Sequence, residues 1–146
     1  MSVRHWTPLQ VLVLGWIGLY AQAANVRPLL DAIRKVETGN HPDPKNALGD
    51  GGRSLGPYQI SRAYWQDARP GFGTYRDVRY RRYAETTMLS YWQRYCPEAL
   101  AKGDHETLAR CHNGGCGWQR AGPKARRMMD VYWAKVEAVM RRNGWR

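Results

Sequence analysis

The chain has 146 residues, with 23 Lys and Arg against 12 Asp and Glu, for a formal net charge of +11. That length leaves room for one compact domain with its own core, and no repeat, low-complexity segment or linker divides it. The charge points to an anionic partner such as nucleic acid, anionic lipid or a polyanionic cell wall, or in its blandest form to a basic surface that aids solubility.

The first residues, Met1-Ser2-Val3-Arg4-His5, are basic; an apolar run from Leu9 to Tyr20 follows, then the small-x-small triplet Ala21-Gln22-Ala23. That order predicts a secretory signal peptide over residues 1–23, cleaved after Ala23, with the alternative of an uncleaved anchor. The apolar run is short for a bilayer span, so no stable membrane insertion is expected after cleavage. Residues 24–146 then form the mature domain, secreted or periplasmic. Its charge is about +10, since only Arg4 is lost. Export moves a cell wall or membrane surface ahead of nucleic acid as partner, and no nucleic-acid recognition motif is present.

Pro28 suits the first turn of a helix, and Leu29, Leu30, Ile33, Val36 and Glu37 fall on one stripe, predicting a helix from Leu29 to Thr38 that Gly39-Asn40 ends. Glu37 is the lone charge on that apolar stripe and lies in the last turn, where the helix dipole disfavours an anion. Burial and dipole both raise its proton affinity, the direction a general acid needs near neutral pH. A glutamate at the stripe's edge, turned to solvent, is the plainer alternative.

Residues 40–57 are rich in Gly, Pro, Asn and Asp and predict loops or a small hairpin. Within them Gly49-Asp50-Gly51-Gly52 reads as a tight turn. Asp50 is there either a turn former, the favoured reading from pattern alone, or a second carboxylate facing Glu37. Tyr58-Gln59-Ile60 reads as a short strand. Ser61 caps a helix through Asp67, 69–74 are loop, and one long helix is predicted from Tyr75 to Tyr95 with the stripe Ala84, Met88, Tyr91, Trp92 and Tyr95. Asp104 starts a helix to about Cys111, and His112-Asn113-Gly114-Gly115 ends it. Pro123 opens the last helix, with Ala125, Met128, Met129, Tyr132, Trp133, Val136, Val139 and Met140 as its apolar face and Gly144 as its stop. The sum is α+β with a helical majority.

Cys96, Cys111 and Cys116 predict one bridge and one free thiol in an oxidising compartment, with the pairing open. No spacing suggests a metal site, and no cofactor is implied. Beyond residue 23 the chain has five Trp and eight Tyr against the single Phe72, a usage that suits stacking on sugar rings as well as ordinary packing.

Four blocks in order resemble the invertebrate-type (destabilase-like) lysozymes. They are Val36-Glu37-Thr38-Gly39; Gly56-Pro57-Tyr58-Gln59-Ile60 with Tyr64-Trp65-Gln66-Asp67-Ala68; Leu108-Ala109-Arg110-Cys111-His112-Asn113-Gly114-Gly115; and Tyr132-Trp133-Ala134-Lys135-Val136. The resemblance covers roughly Leu29 to Val139. It implies a lysozyme-like fold with a small β element beside the active-site cleft. It also implies a peptidoglycan hydrolase (muramidase) that cleaves the β-1,4 bond between N-acetylmuramic acid and N-acetylglucosamine. On this analogy Glu37 is the general acid and Asp50 the second carboxylate. The loop before Gly56 differs from the family's by about one residue, and Asp43 is the fallback. A carboxyl separation of about 5–5.5 Å would favour retention and about 6.5–9.5 Å inversion. Tyr58, Gln59, His112 and Asn113 are candidate substrate-binding residues, His112 having a structural hydrogen-bonding role as its alternative. Two other functions compete. One is a lytic transglycosylase of the same fold, needing a single Glu. The other is a non-catalytic cationic protein that binds walls or kills bacteria by charge.

Overall fold

The computed structural model describes residues 25–39 and 41–145. The expected signal peptide, residues 1–23, lies outside the described residues. Among the described residues six α-helices and a three-stranded sheet follow in order: α1 (Arg27–Thr38), β1 (Leu48–Gly49), β2 (Ser54–Leu55), β3 (Ile60–Ser61), α2 (Arg62–Ala68), α3 (Arg81–Tyr95), α4 (Pro97–Lys102), α5 (His105–Gly114) and α6 (Pro123–Arg142). The α+β reading with a helical majority holds. Among the described residues no helix is long and apolar enough to cross a membrane.

α1 begins with Pro28 in its first turn and buries Leu29, Leu30, Ala32 and Ile33. These pack with Met88, Tyr91 and Trp92 of α3, Leu108 and Cys111 of α5, and Val136 of α6 into one core. Burying side chains of this size stabilises by roughly 1.5–3 kcal/mol each, before the cost of ordering them. α6 lies along both α1 and α5.

The sheet is a small antiparallel meander, Leu48 opposite Leu55 and Leu55 opposite Ile60. The expected strand over Tyr58-Gln59-Ile60 is corrected: pairing starts only at Ile60, because Gly56 (φ 80°) and Gln59 (φ 49°) bend residues 56–59 into a turn. Gly56 is required there, since a Cβ would come within 2.5 Å of the Val78 carbonyl oxygen. The turn is pinned to α1 at both helix ends. Thr38 Oγ1 donates to the Pro57 carbonyl at 3.0 Å. At the other end Arg27 grips Glu85 with two hydrogen bonds of 2.7 and 2.9 Å, and the Tyr58 hydroxyl donates to the same carboxylate at 2.6 Å.

The predicted long helix from Tyr75 is split. A 3-10 turn, Tyr75–Arg79, is closed by a Thr74–Asp77 capping box, and Tyr80 is extended (ψ 125°) before α3 begins. Arg81 is thereby the first residue of α3 and donates to Glu85 at 2.8 Å. The caps at Ser61 and Asp104 form as expected, accepting from the Tyr64 and Thr107 amides. α5 runs on to Gly114 and turns at Gly115, φ 77°. The apolar face of α6 is narrower than its sequence suggests: Ala125 and Met128 are exposed.

Candidate active site

α1 ends where the meander begins, and the last turn of α6 closes the third side. Between them lies a cleft of about 790 Å³ whose lining includes Lys35, Glu37, His41, Gln59, Arg142 and Asn143. Among the described residues Glu37 is the only carboxylate on its wall.

Glu37 retains 20% of its side-chain surface. The Tyr132 hydroxyl donates to its Oε1 at 2.8 Å, from a tyrosine that is itself buried on α6. Burial pushes the Glu37 carboxyl up to about pKa 7; the Asp50 charge adds to the rise, while the Tyr132 hydrogen bond and Lys135 oppose it. Among the described residues no lysine or arginine pairs with it, and His112 Nε2, 3.9 Å away, is charged only when protonated. Burial drives the His112 ring down to about pKa 4, so it is neutral where Glu37 titrates. The other ring nitrogen, Nδ1, lies 3.3 Å from the Tyr64 hydroxyl, and Tyr64 stacks on Tyr91 with ring centroids 3.9 Å apart. The result is a carboxyl that titrates near neutral pH beside buried aromatic rings and a neutral imidazole, facing the cleft.

Glu85 provides the internal contrast. It too is buried, and burial alone would raise its pKa. Hydrogen bonds from Arg27, Tyr58 and Arg81 outweigh that and hold it below the ordinary carboxylate range. One carboxylate is paired with two arginines and stays ionised; the other has no arginine or lysine partner among the described residues and holds its proton to about pH 7.

The remaining candidates are dispersed. Asp50 occupies the β1–β2 turn with φ 51°, is exposed, and accepts from the Ser54 hydroxyl at 3.1 Å. It acts on Glu37 through its field and is absent from the cleft wall. Asp43 is exposed and accepts from Asn46 at 2.6 Å, outside the wall as well. Tyr58 is corrected as a cleft donor: it is fully buried and its hydroxyl is spent on Glu85. Gln59 does line the cleft, but its amide donates to the carbonyls of Gly56 at 2.8 Å and Ala47 at 3.3 Å, bracing the turn. Its Oε1 fills the space a Cβ at Gly49 would need, 2.0 Å away. Asn113 is exposed at the end of α5 and off the wall. His112 sits behind Glu37 as a buried neighbour.

Sequence reasoning missed Tyr132, Lys35, His41, Arg142 and Asn143. Tyr132 carried a readable signal: a buried phenol needs a partner for its hydroxyl, and Glu37 was the unpartnered polar group on the opposing stripe. The others depend on where α6 ends relative to α1, which no local pattern encodes. The expected bridge is not formed: Cys96, Cys111 and Cys116 are all free thiols, with Cys96 and Cys111 close neighbours. Among the described residues no group of three or more His, Cys, Asp or Glu is placed to hold a metal ion.

No family model, curated protein or solved structure matches the chain.

Proposed function

We propose that the chain is a peptidoglycan-cleaving enzyme of lysozyme-like fold, acting outside the cytoplasm on the bond between N-acetylmuramic acid and N-acetylglucosamine. The observation that carries this reading is Glu37. It is a carboxyl raised to about pKa 7 by burial, hydrogen-bonded by Tyr132, at the wall of a cleft large enough for several sugar rings. In the proposed step, Glu37 gives its proton to the bridging glycosidic oxygen as the bond from that oxygen to the anomeric carbon breaks. Water adds to that carbon, its proton returns to a carboxylate, and a free reducing end results.

The placement of Asp50 favours a second reading of the same site. An exposed turn carboxylate held by Ser54, off the cleft wall, suits field stabilisation better than nucleophilic attack. A lytic transglycosylase needs only the acid. In that reaction Glu37 protonates the leaving oxygen, the sugar's own C6 hydroxyl attacks the anomeric carbon and gives its proton back to the Glu37 carboxylate, leaving a 1,6-anhydro end.

The deciding experiment is clearing of a peptidoglycan suspension by residues 24–146, beside Glu37→Gln and Asp50→Asn, with products weighed by mass spectrometry. Clearing abolished in Glu37→Gln, with free reducing ends, supports the hydrolase. Anhydro ends with Asp50→Asn nearly as active as wild type select the transglycosylase. Equal bacterial killing by wild type and Glu37→Gln without wall cleavage would replace both with a cationic, non-catalytic role.

A further inference from the structure

The cleft carries charge that glycosidic cleavage does not use. Along α6, Tyr132, Lys135, Val139 and Arg142 follow at three- and four-residue intervals and so share one stripe. Tyr132 meets Glu37 at one end, and Val139 and Arg142 line the cleft toward the other. Ten residues of helix place the two ends about 15 Å apart. Lys35 joins Arg142 from α1. Its Nζ donates to Asn143 Oδ1 at 3.0 Å and lies 4.8 Å from the centroid of the Trp145 ring, so it is held in position by two neutral groups.

Among the described residues neither Lys35 nor Arg142 forms an ion pair, although Arg27, Arg81, Arg110 and Arg141 each do. With Glu37 as the only acid among the described residues of the wall, the far end of the cleft presents two cations that no described carboxylate pairs with. One of them is a guanidinium, whose fork fits a carboxylate in two parallel hydrogen bonds.

We propose that Lys35, Arg142 and Asn143 form an anion subsite that takes a carboxylate borne on the glycan strand, the acid of the lactyl-peptide arm, while the scissile bond lies at Glu37. The inference rests on the glycan-cleaving reading. It makes Lys35 and Arg142 specificity residues: they select strands that carry free acid groups over neutral polysaccharide of the same backbone. Asn143 orients Lys35 in place of a carboxylate that would cancel its charge.

The test uses acid-extracted peptidoglycan, free of phosphate polymers, in native form and with its carboxylates converted to amides by carbodiimide and ammonia. Wild type, Lys35→Gln, Arg142→Gln and the double variant are compared for cleavage at low salt. Each is also compared in the Glu37→Gln background for co-sedimentation with the wall, which reads binding without turnover. The expected result is a tenfold or greater rise in KM and a matching loss of binding for the double variant on native wall, with kcat little changed. On amidated wall the variant and wild type become equal. A double variant that binds and cleaves native wall like wild type overturns the subsite. So does a defect that persists undiminished on amidated wall, which would mark a structural role. A defect seen only on walls retaining phosphate polymers assigns the anion to phosphate and overturns the carboxylate. Wild-type binding without any cleavage fails the glycan-cleaving reading while the co-sedimentation arm still decides the subsite.

Discussion

Replacing Glu37 by Gln removes the ionisation and keeps the shape, including an oxygen to accept from Tyr132. In the unfolded chain the carboxyl titrates near 4.5; in the fold it titrates near 7. The native state therefore binds this proton more tightly, and its contribution is fully present below pH 4.5 and lost as pH rises from about 4.5 to about 7. At about 1.4 kcal/mol per pH unit over the 4.5 to about 7 window, that loss is at most ~3.5 kcal/mol. The 20% of side-chain surface still open to solvent brings the expected figure nearer 2 kcal/mol. Glu37→Gln stays neutral throughout. The two proteins should match below pH 4.5, and the variant should gain progressively to about 2 kcal/mol above pH 7, or roughly 6–10 °C in Tm for a domain of this size. Urea and thermal unfolding of both proteins from pH 4 to 8.5 measure the difference, in which all other titrations cancel. A difference independent of pH, or a variant less stable than wild type at pH 8, would refute the raised acid and with it the argument for Glu37 as proton donor.

Tyr132→Phe deletes the hydrogen bond that favours the Glu37 carboxylate, so the carboxyl pKa should climb further and the alkaline limb of kcat/KM should move up in pH; a downward move contradicts the geometry. Glu85→Gln leaves Arg27 and Arg81 without their shared counter-charge and should cost about 2–3 kcal/mol in urea unfolding, discounted for the half-exposed arginines. Oxidised glutathione should join Cys96 to Cys111 by thiol–disulfide exchange, releasing two reduced glutathiones and leaving Cys116 alkylatable; a bridge to Cys116 in a non-reducing peptide map would sink that pairing.

Where the sequence succeeded, the signal was local. The α1 stripe placed Glu37 on the buried side, and the caps at Ser61 and Asp104 and the start at Pro123 are encoded within one turn of helix. Where it failed, the cause was tertiary. The Tyr75–Tyr95 stretch has continuous helical character, but Arg81 is drawn to Asp31 and Glu85, and the chain breaks at Tyr80 to deliver it. Tyr58 reads from sequence as part of a strand bordering the cleft, but residues 56–59 turn and its hydroxyl is drawn inward to Glu85, 27 positions away, a pairing no local pattern shows. Met128 looked like core by helical spacing, but it is exposed while the next residue, Met129, is the one that turns inward against Gly114 at the end of α5. The acid was legible, its phenolic partner half-legible, and the basic far wall invisible.

The clasp on α1 bears on how the cleft can behave. Thr38 fastens the end of the helix to the Pro57 carbonyl, and Arg27 fastens its start, through Glu85 and Tyr58, to the same four-residue bend. A rod tied at both ends to one anchor cannot swing away from it. The jaw formed by α1 and the bend therefore has a fixed gauge, set during folding rather than on contact with ligand. Any reorganisation would then be borne by a ligand, and on the proposed reading a flexible polymer would surrender its own conformational freedom on entering.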